Sequence, residues 1–301
     1  MSEDRGHLST EQRNPAAAQL DRMSVLEAVD LMTSEDARAV EAVAAVREEL
    51  AAAVDLVSER LAAGGRLIYV GAGTSGRLAV LDAAECPPTF RSDPTQVQAI
   101  LAGGRAALTA AVEGAEDDAG EGAAQVAVRD VGPGDVVLGI SAGGTTPFVH
   151  GALGEARRRG AATIFLACVS REQVGDEADL SIRLATGPEV VAGSTRLKAG
   201  TATKLTLNTI STLVMVRLGK VHGDLMVDLD TSANVKLVDR ARRILAAITG
   251  VEPELAAALL ERADGRVKVA AVMHARELDA CAAEERLAQV GGLLRRALEP
   301  D

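Results

Sequence analysis

Apolar residues recur three and four positions apart in two stretches near the amino end, SVLEAVDLM from Ser24 and a longer run from Ser34 to Leu61. That period predicts two amphipathic helices, with Ser24 and Ser34 as their N-caps and Gly64-Gly65 as the stop. The pattern then changes to short continuous apolar runs: RLIYVG (66–71), VQAIL (97–101), DVVLGIS (135–141), ATIFLACV (162–169) and LSIRLA (180–185). Between the first four lie segments of helical period, RLAVLDAAE, AALTAAVEGAEDDA and FVHGALGEARRRG. Unalternated apolar strands interleaved with helices predict an α/β protein, a doubly wound parallel sheet covered on both faces. A long helix over 201–219 closes that sheet, and an Ala-, Leu- and Arg-rich tail, broken at Thr249-Gly250 and Asp264-Gly265, predicts a small helical appendage. Residues 1–22 are polar, carry no sustained period and are expected to form a flexible or partner-docked arm. The expected organisation is therefore an arm (1–22), a sheet domain with N-terminal helices (23–232) and a C-terminal helical module (233–301).

Composition narrows the function classes. At 301 residues and 48% hydrophobic content, the chain can bury a full core. With no Trp, one Tyr and three Phe it has no platform for stacking bases, and a formal charge of −11 repels phosphate backbones, so no nucleic-acid partner is expected. A phosphate site in so acidic a protein must be built from backbone amides, hydroxyls and a few placed cations. Cys86, Cys168 and Cys281 lack metal-ligand or CxxC spacing and read as reduced. The N-terminus has no apolar signal core and no run long enough to span a membrane, so a cytoplasmic protein with no membrane partner is expected. The apolar N-terminal helices and the broad apolar surface of 201–216 exceed what one sheet domain covers, which predicts a homodimer.

Ligands of an open parallel sheet gather beyond the carboxyl ends of its strands. Two loops meet that description. Gly71-Ala72-Gly73-Thr74-Ser75-Gly76 follows RLIYV, opens a helix and offers amides with two hydroxyls. Its GxGxxG spelling leaves three readings open: a tight turn, a nucleotide site, which would want an acidic residue ending the second strand, or a sugar-phosphate site. Ser141-Ala142-Gly143-Gly144-Thr145-Thr146-Pro147 repeats the same physics after DVVLGI, with Pro147 suited to the first turn of a helix. Two acidic signals accompany the loops. Glu85 precedes Cys86-Pro87-Pro88 and is expected at a helix C-terminus, where the dipole favours a protonated carboxyl. Glu113, Glu116, Asp117 and Asp118 crowd EGAEDD, a pattern that also suits a solvated helix face.

Taken together, GAGTSGRLAVLDAAECPPTF, AVEGAEDD, GSTRLKAGTATKLTLNTIST and GDLMVDL, in this order and spacing, resemble the N-acetylmuramic acid 6-phosphate etherases, proteins of the sugar isomerase (SIS) fold, a flavodoxin-like αβα sandwich. The resemblance runs from about Ser24 to the C-terminus. It implies a lyase of cell-wall amino sugar recycling that splits N-acetylmuramic acid 6-phosphate into N-acetylglucosamine 6-phosphate and D-lactate, with no metal or organic cofactor. Glu85 is then the acid assisting departure of lactate and Glu116 the base at carbon 2. Gly73, Thr74, Ser75, Gly76, Glu113, Ser141, Gly144, Thr145 and Thr146 are the expected substrate and phosphate contacts, and Lys236 is a further one acting across a dimer. The tail over 248–292 resembles a ubiquitin-associated-type three-helix module.

The chain departs from the family in two places. Gly143 stands where the second loop usually has Ser, removing one hydroxyl, and Asp224 stands where Asn is common. The chemistry explains the need for two carboxyl groups: the proton on carbon 2 is acidified by the adjacent aldehyde of the ring-opened sugar, so one group must be ionised to take it. The other must be protonated to help the ether oxygen leave. The family also resembles the glucokinase regulatory protein, which binds sugar phosphates without turnover, so a non-catalytic sugar-phosphate-binding regulator is the alternative.

Overall fold

The computed structural model describes residues 5–229 and 235–300. Two compact units divide the chain: Met1–Ala83 with Thr95–Ser211, and Ala84–Pro94 with Thr212–Asp301. Among the described residues no helix is long and apolar enough to cross a membrane.

The first unit carries the sheet. Strands β1 (Leu67–Gly71), β2 (Val97–Leu101), β3 (Val136–Ile140), β4 (Ala162–Ala167) and β5 (Leu180–Arg183) are all parallel, in the order β2-β1-β3-β4-β5. The expected α/β sheet is thus present, with each strand inside its apolar run. Successive side chains alternate between faces. Ile68, Val70, Val137 and Phe165 share a core with helices α4 (Ala119–Val128) and α5 (Pro147–Arg158), through Val126, Phe148, Val149 and Ala152. On the opposite face Tyr69 is fully buried, and its hydroxyl donates to Asp82 (2.9 Å) on helix α3 (Gly73–Phe90). Asn208 and Ser211, on helix α6 (Lys198–Arg217), donate to the other oxygen of Asp82 at 2.6 and 3.0 Å.

The N-terminal helices differ from expectation in where they divide. Helix α1 runs unbroken from Val25 to Ala45, opened by a capping box in which Ser24 and Glu27 satisfy each other's backbone N–H groups. Ser34 therefore caps nothing; its hydroxyl, like that of Thr33, bonds back to a carbonyl of the preceding turn and stays inside the helix. The break falls at Val46, and α2 follows over Arg47–Ala62. The segment expected as a flexible or partner-docked arm is packed on its own unit: Leu8 is buried among Ile68, Ile100 and Phe148, and the Asn14 amide donates to Glu35 and to the Pro188 carbonyl.

EGAEDD is not a helix face. Gly103, Gly104 and Gly114 all take positive φ, so the chain between β2 and α4 makes two short 3-10 turns, and α4 begins only after its N-cap Asp118. Conversely, α3 does not end at Glu85. It continues through Pro87 and Pro88 to Phe90, and Arg91, at φ 49, terminates it.

The second unit has its own core. After the hairpin β6 (Val221–His222) and β7 (Leu225–Met226), helices α7 (Val235–Thr249), α8 (Pro253–Arg262), α9 (Val267–Arg276), α10 (Ala280–Gln289) and α11 (Leu294–Leu298) bury Leu245, Leu259, Val272, Leu287 and Leu294 together. Lys268, largely buried, donates to Asp228 (2.6 Å); burial pulls its pKa down against the pull of that carboxylate.

Candidate active site

Strand order reverses between β1 and β3, since β2 lies on one side of β1 and β3 to β5 on the other. A parallel sheet opens its binding crevice at such a point. The loop after β1 and the loop after β3 both reach it.

In the first loop, β1 and α3 touch directly. A Cβ on Gly76 would lie 2.6 Å from the Gly71 carbonyl oxygen and 2.4 Å from Leu101, so only glycine allows this approach. Gly73 turns the chain at φ +53, leaving Thr74 and Ser75 in the first turn of α3. In the second loop the Ser141 and Thr146 hydroxyls are bonded at 2.8 Å, and Ser141 also accepts from the Thr146 N–H at 3.2 Å. Gly144, at φ +78, sends its carbonyl to His150 (2.7 Å) while its α-carbon side faces Val169 and Val174. Pro147 then opens α5.

These loops line a cleft of about 300 Å³ containing Gly73, Thr74, Ser75, Ser141, Thr145 and Thr146. Glu116 lines it too, carried in by the 3-10 turn over Ala115–Asp117. Other expected contacts are absent from its lining. Gly76 and Gly144 lie behind the loops and serve packing and turn geometry. Glu113 faces a neighbouring cavity of about 720 Å³ with Arg105 and Asp118. Glu85, exposed on α3, belongs to the second unit. Lys236 lies in the first turn of α7, and its side chain is outside the described residues.

The cleft also contains residues that sequence reasoning did not select. Arg5, Leu8 and Glu11 come from the N-terminal segment, Gly143 from the second loop, and Gly193 and Thr195 from the turn before α6. The GSTRLKAGTATK run spans this turn, and its basic residues stand apart from the cleft lining. Lys198 is buried and ion-paired with Glu35, whereas Arg196 and Lys204 are exposed. Burial pushes the Glu35 carboxyl up, but the hydrogen bonds and charge of Lys198, with Asn14 and Arg38, outweigh it and hold the group below its ordinary range. Glu189 accepts from the Lys198 and Ala199 N–H groups at 3.2 and 2.9 Å, and its burial pushes its pKa up despite them. Burial likewise pushes the Cys168 thiol up to about 12.

Sheet order, crevice and paired hydroxyl loops define a SIS-domain protein: residues 118–215 match the SIS domain, and residues 49–157 match the glucokinase regulatory protein N-terminal SIS domain. A Bacteroides fragilis protein described as a phosphosugar isomerase involved in capsule formation shares the fold at a TM-score of 0.52, with 17% identity, over 70% of this chain and all of its own. Within that class the sequence is far more specific. The chain is 57% identical to N-acetylmuramic acid 6-phosphate etherases of Nostoc and of Gloeobacter violaceus, over 98% of its own length and 96% of theirs. It belongs to the N-acetylmuramic acid 6-phosphate etherase family.

Proposed function

We propose that this chain cleaves the D-lactyl ether of N-acetylmuramic acid 6-phosphate in the cytoplasmic recycling of cell-wall amino sugars. The observation that carries the reading is the position of Glu116, a carboxylate lining the same cleft as Thr74, Ser75 and Thr145 at the openings of α3 and α5. Helix-opening amides and hydroxyls suit the 6-phosphate, and a carboxylate beside them suits proton transfer on the sugar it anchors. Glu116 takes the proton from carbon 2 of the open-chain sugar, the bond from carbon 3 to the ether oxygen breaks, and Glu85 protonates that oxygen as D-lactate departs. Water then adds to carbon 3 of the unsaturated aldehyde and a proton returns to carbon 2, giving N-acetylglucosamine 6-phosphate. A non-catalytic regulator is the less favoured reading, because the relatives along nearly the whole chain are named as etherases. The test is D-lactate release from N-acetylmuramic acid 6-phosphate. Glu116→Gln and Glu85→Gln should each lower turnover about 10²–10⁴-fold while phosphosugar binding survives; no lactate from folded parent protein contradicts the reading.

The active unit in this proposal is a homodimer. Helix α1 exposes an apolar stripe, with Val25 82%, Val29 52% and Val40 58% accessible, and a two-fold pair would bury it. Light scattering should report a dimer, and Val29→Lys should weaken it. If Lys236 acts across the pair, Lys236→Ala weakens phosphosugar binding, and mixing it with Glu116→Gln restores activity by assembling one intact site. A fully active monomer contradicts the homodimer.

A further inference from the structure

The cleft poses an electrostatic problem that its loops do not solve. Among the described residues lining it, Glu11 and Glu116 are carboxylates and Arg5 is the only cation, in a chain of formal charge −11. Hydroxyls and amides suit a phosphate dianion entering there, but a cation is needed to offset the two carboxylates. Both Arg5 and Glu11 come from the N-terminal segment, which is held in place at several points. Leu8 is inserted into the sheet core, Gln173 donates to the His7 carbonyl at 2.9 Å, and Asn14 donates to Glu35, the carboxylate that pairs with buried Lys198. The Leu8 and Glu11 N–H groups donate to the Arg5 and Leu8 carbonyls, each at 3.0 Å, so the segment turns twice within this stretch.

Thr10 is the residue in this segment that packing does not explain. It is completely buried, yet its hydroxyl has no hydrogen-bond partner, a costly state for a polar group. Thr10 does not itself line the cleft; its oxygen lies behind Gly143, which does, 3.7 Å from the point where a side chain there would begin. Glu11 sits over the opposite margin, one carboxylate oxygen 3.1 Å from the corresponding point on Gly193.

We propose that residues 5–14 form a strap completing the phosphate end of the cleft, with Arg5 as its counter-charge and the Thr10 hydroxyl, covered in the ligand-free fold, becoming a donor to the anion across the side-chain-free position of Gly143. The proposal rests on the reading of this cleft as a sugar-phosphate site. It assigns binding, not proton transfer, to the strap, and it accounts for the orphaned hydroxyl: Thr10 finds its partner only when an anion is present.

A hydroxyl kept for a ligand and one kept for the fold respond to substitution with opposite signs. Thr10→Val keeps the shape and removes an unpartnered buried group, so it should leave Tm unchanged or raise it. The same change should weaken binding of N-acetylglucosamine 6-phosphate, read by calorimetry on the full chain, about tenfold, since a hydrogen bond to a charged group is lost. Gly143 has no positive φ, and a Cβ there meets Thr10 at ordinary contact distance, so Gly143→Ser can place a substitute hydroxyl in the Thr10→Val background and should recover most of the affinity. Arg5→Ala, at an exposed position that folding tolerates, should weaken binding about tenfold and flatten its dependence on salt. Unphosphorylated N-acetylglucosamine should not distinguish any variant from the parent. Parental affinity for the phosphosugar in Thr10→Val, or in Arg5→Ala at low salt, overturns the strap. If the parent releases no lactate while these binding losses stand, the etherase reading fails and the strap survives. If the parent is active and the variants bind as it does, the strap alone fails.

Discussion

Gly71 and Gly76 show how one residue type serves two purposes in a single loop. The GxGxxG spelling left the loop open to a tight turn or a ligand site; Thr74 and Ser75 line the cleft, and Gly76 is required where α3 crosses the end of β1. Gly76→Ala would drive a methyl group into the Gly71 carbonyl and Leu101, and a loss of about 1–3 kcal/mol is expected in urea unfolding. The thiols illustrate the same dependence on surroundings: Cys168 is buried with its pKa pushed up to about 12, whereas Cys281 is exposed. A thiol reagent at neutral pH should therefore label Cys281 in the native protein and reach Cys168 only on unfolding, as peptide mapping can check. Thr74, Ser75 and Thr145 were legible because they sit in Gly-rich turns directly after apolar runs, where the strands of a parallel sheet end. Arg5 and Glu11 were not, because a segment without periodicity gives no sign of where it packs.

Among the elements, strands were more legible than helix limits. Strands β1, β3 and β4 are buried along their whole length and so read as apolar runs, whereas helix ends depend on details that composition hides. Thr33 and Ser34 look like a break yet bond back into α1, and the prolines at 87 and 88 look like a stop yet lie within the last turns of α3. The charged contact joining α1, α6 and the N-terminal segment was visible only as scattered Glu, Lys and Asn. Glu35→Ala would leave the Lys198 ammonium buried without its carboxylate, and a loss of about 3–5 kcal/mol is expected. Because the folded Glu35 carboxyl titrates below its ordinary value, its stabilisation is complete above about pH 4.3, the unfolded value, and is lost as pH falls through the folded one. Acid denaturation monitored by circular dichroism should show a shallower loss over that window in Glu35→Gln than in the parent. An equal loss in both proteins would remove Glu35 from the acid transition.

At the scale of the whole molecule, the alternation of apolar runs and helical periods was enough for a parallel α/β sheet, and strand order placed the two Gly-rich loops at its reversal point. The division into units was not legible, because it cuts α3 after Ala83 and α6 after Ser211, inside helices whose sequence is continuous. Nor does local pattern separate Glu113 from Glu116, three residues apart and facing different cavities; the left-handed turn at Gly114 stands between them. The central claim, elimination at carbons 2 and 3 with Glu116 as base, is tested most directly by running the reaction in isotopically labelled water and following both products by mass spectrometry. The account predicts that water oxygen enters the N-acetylglucosamine 6-phosphate at carbon 3 and is absent from D-lactate, that solvent deuterium enters at carbon 2, and that Glu116→Gln abolishes both. Label appearing in the lactate instead, with carbon 2 unexchanged, would contradict it.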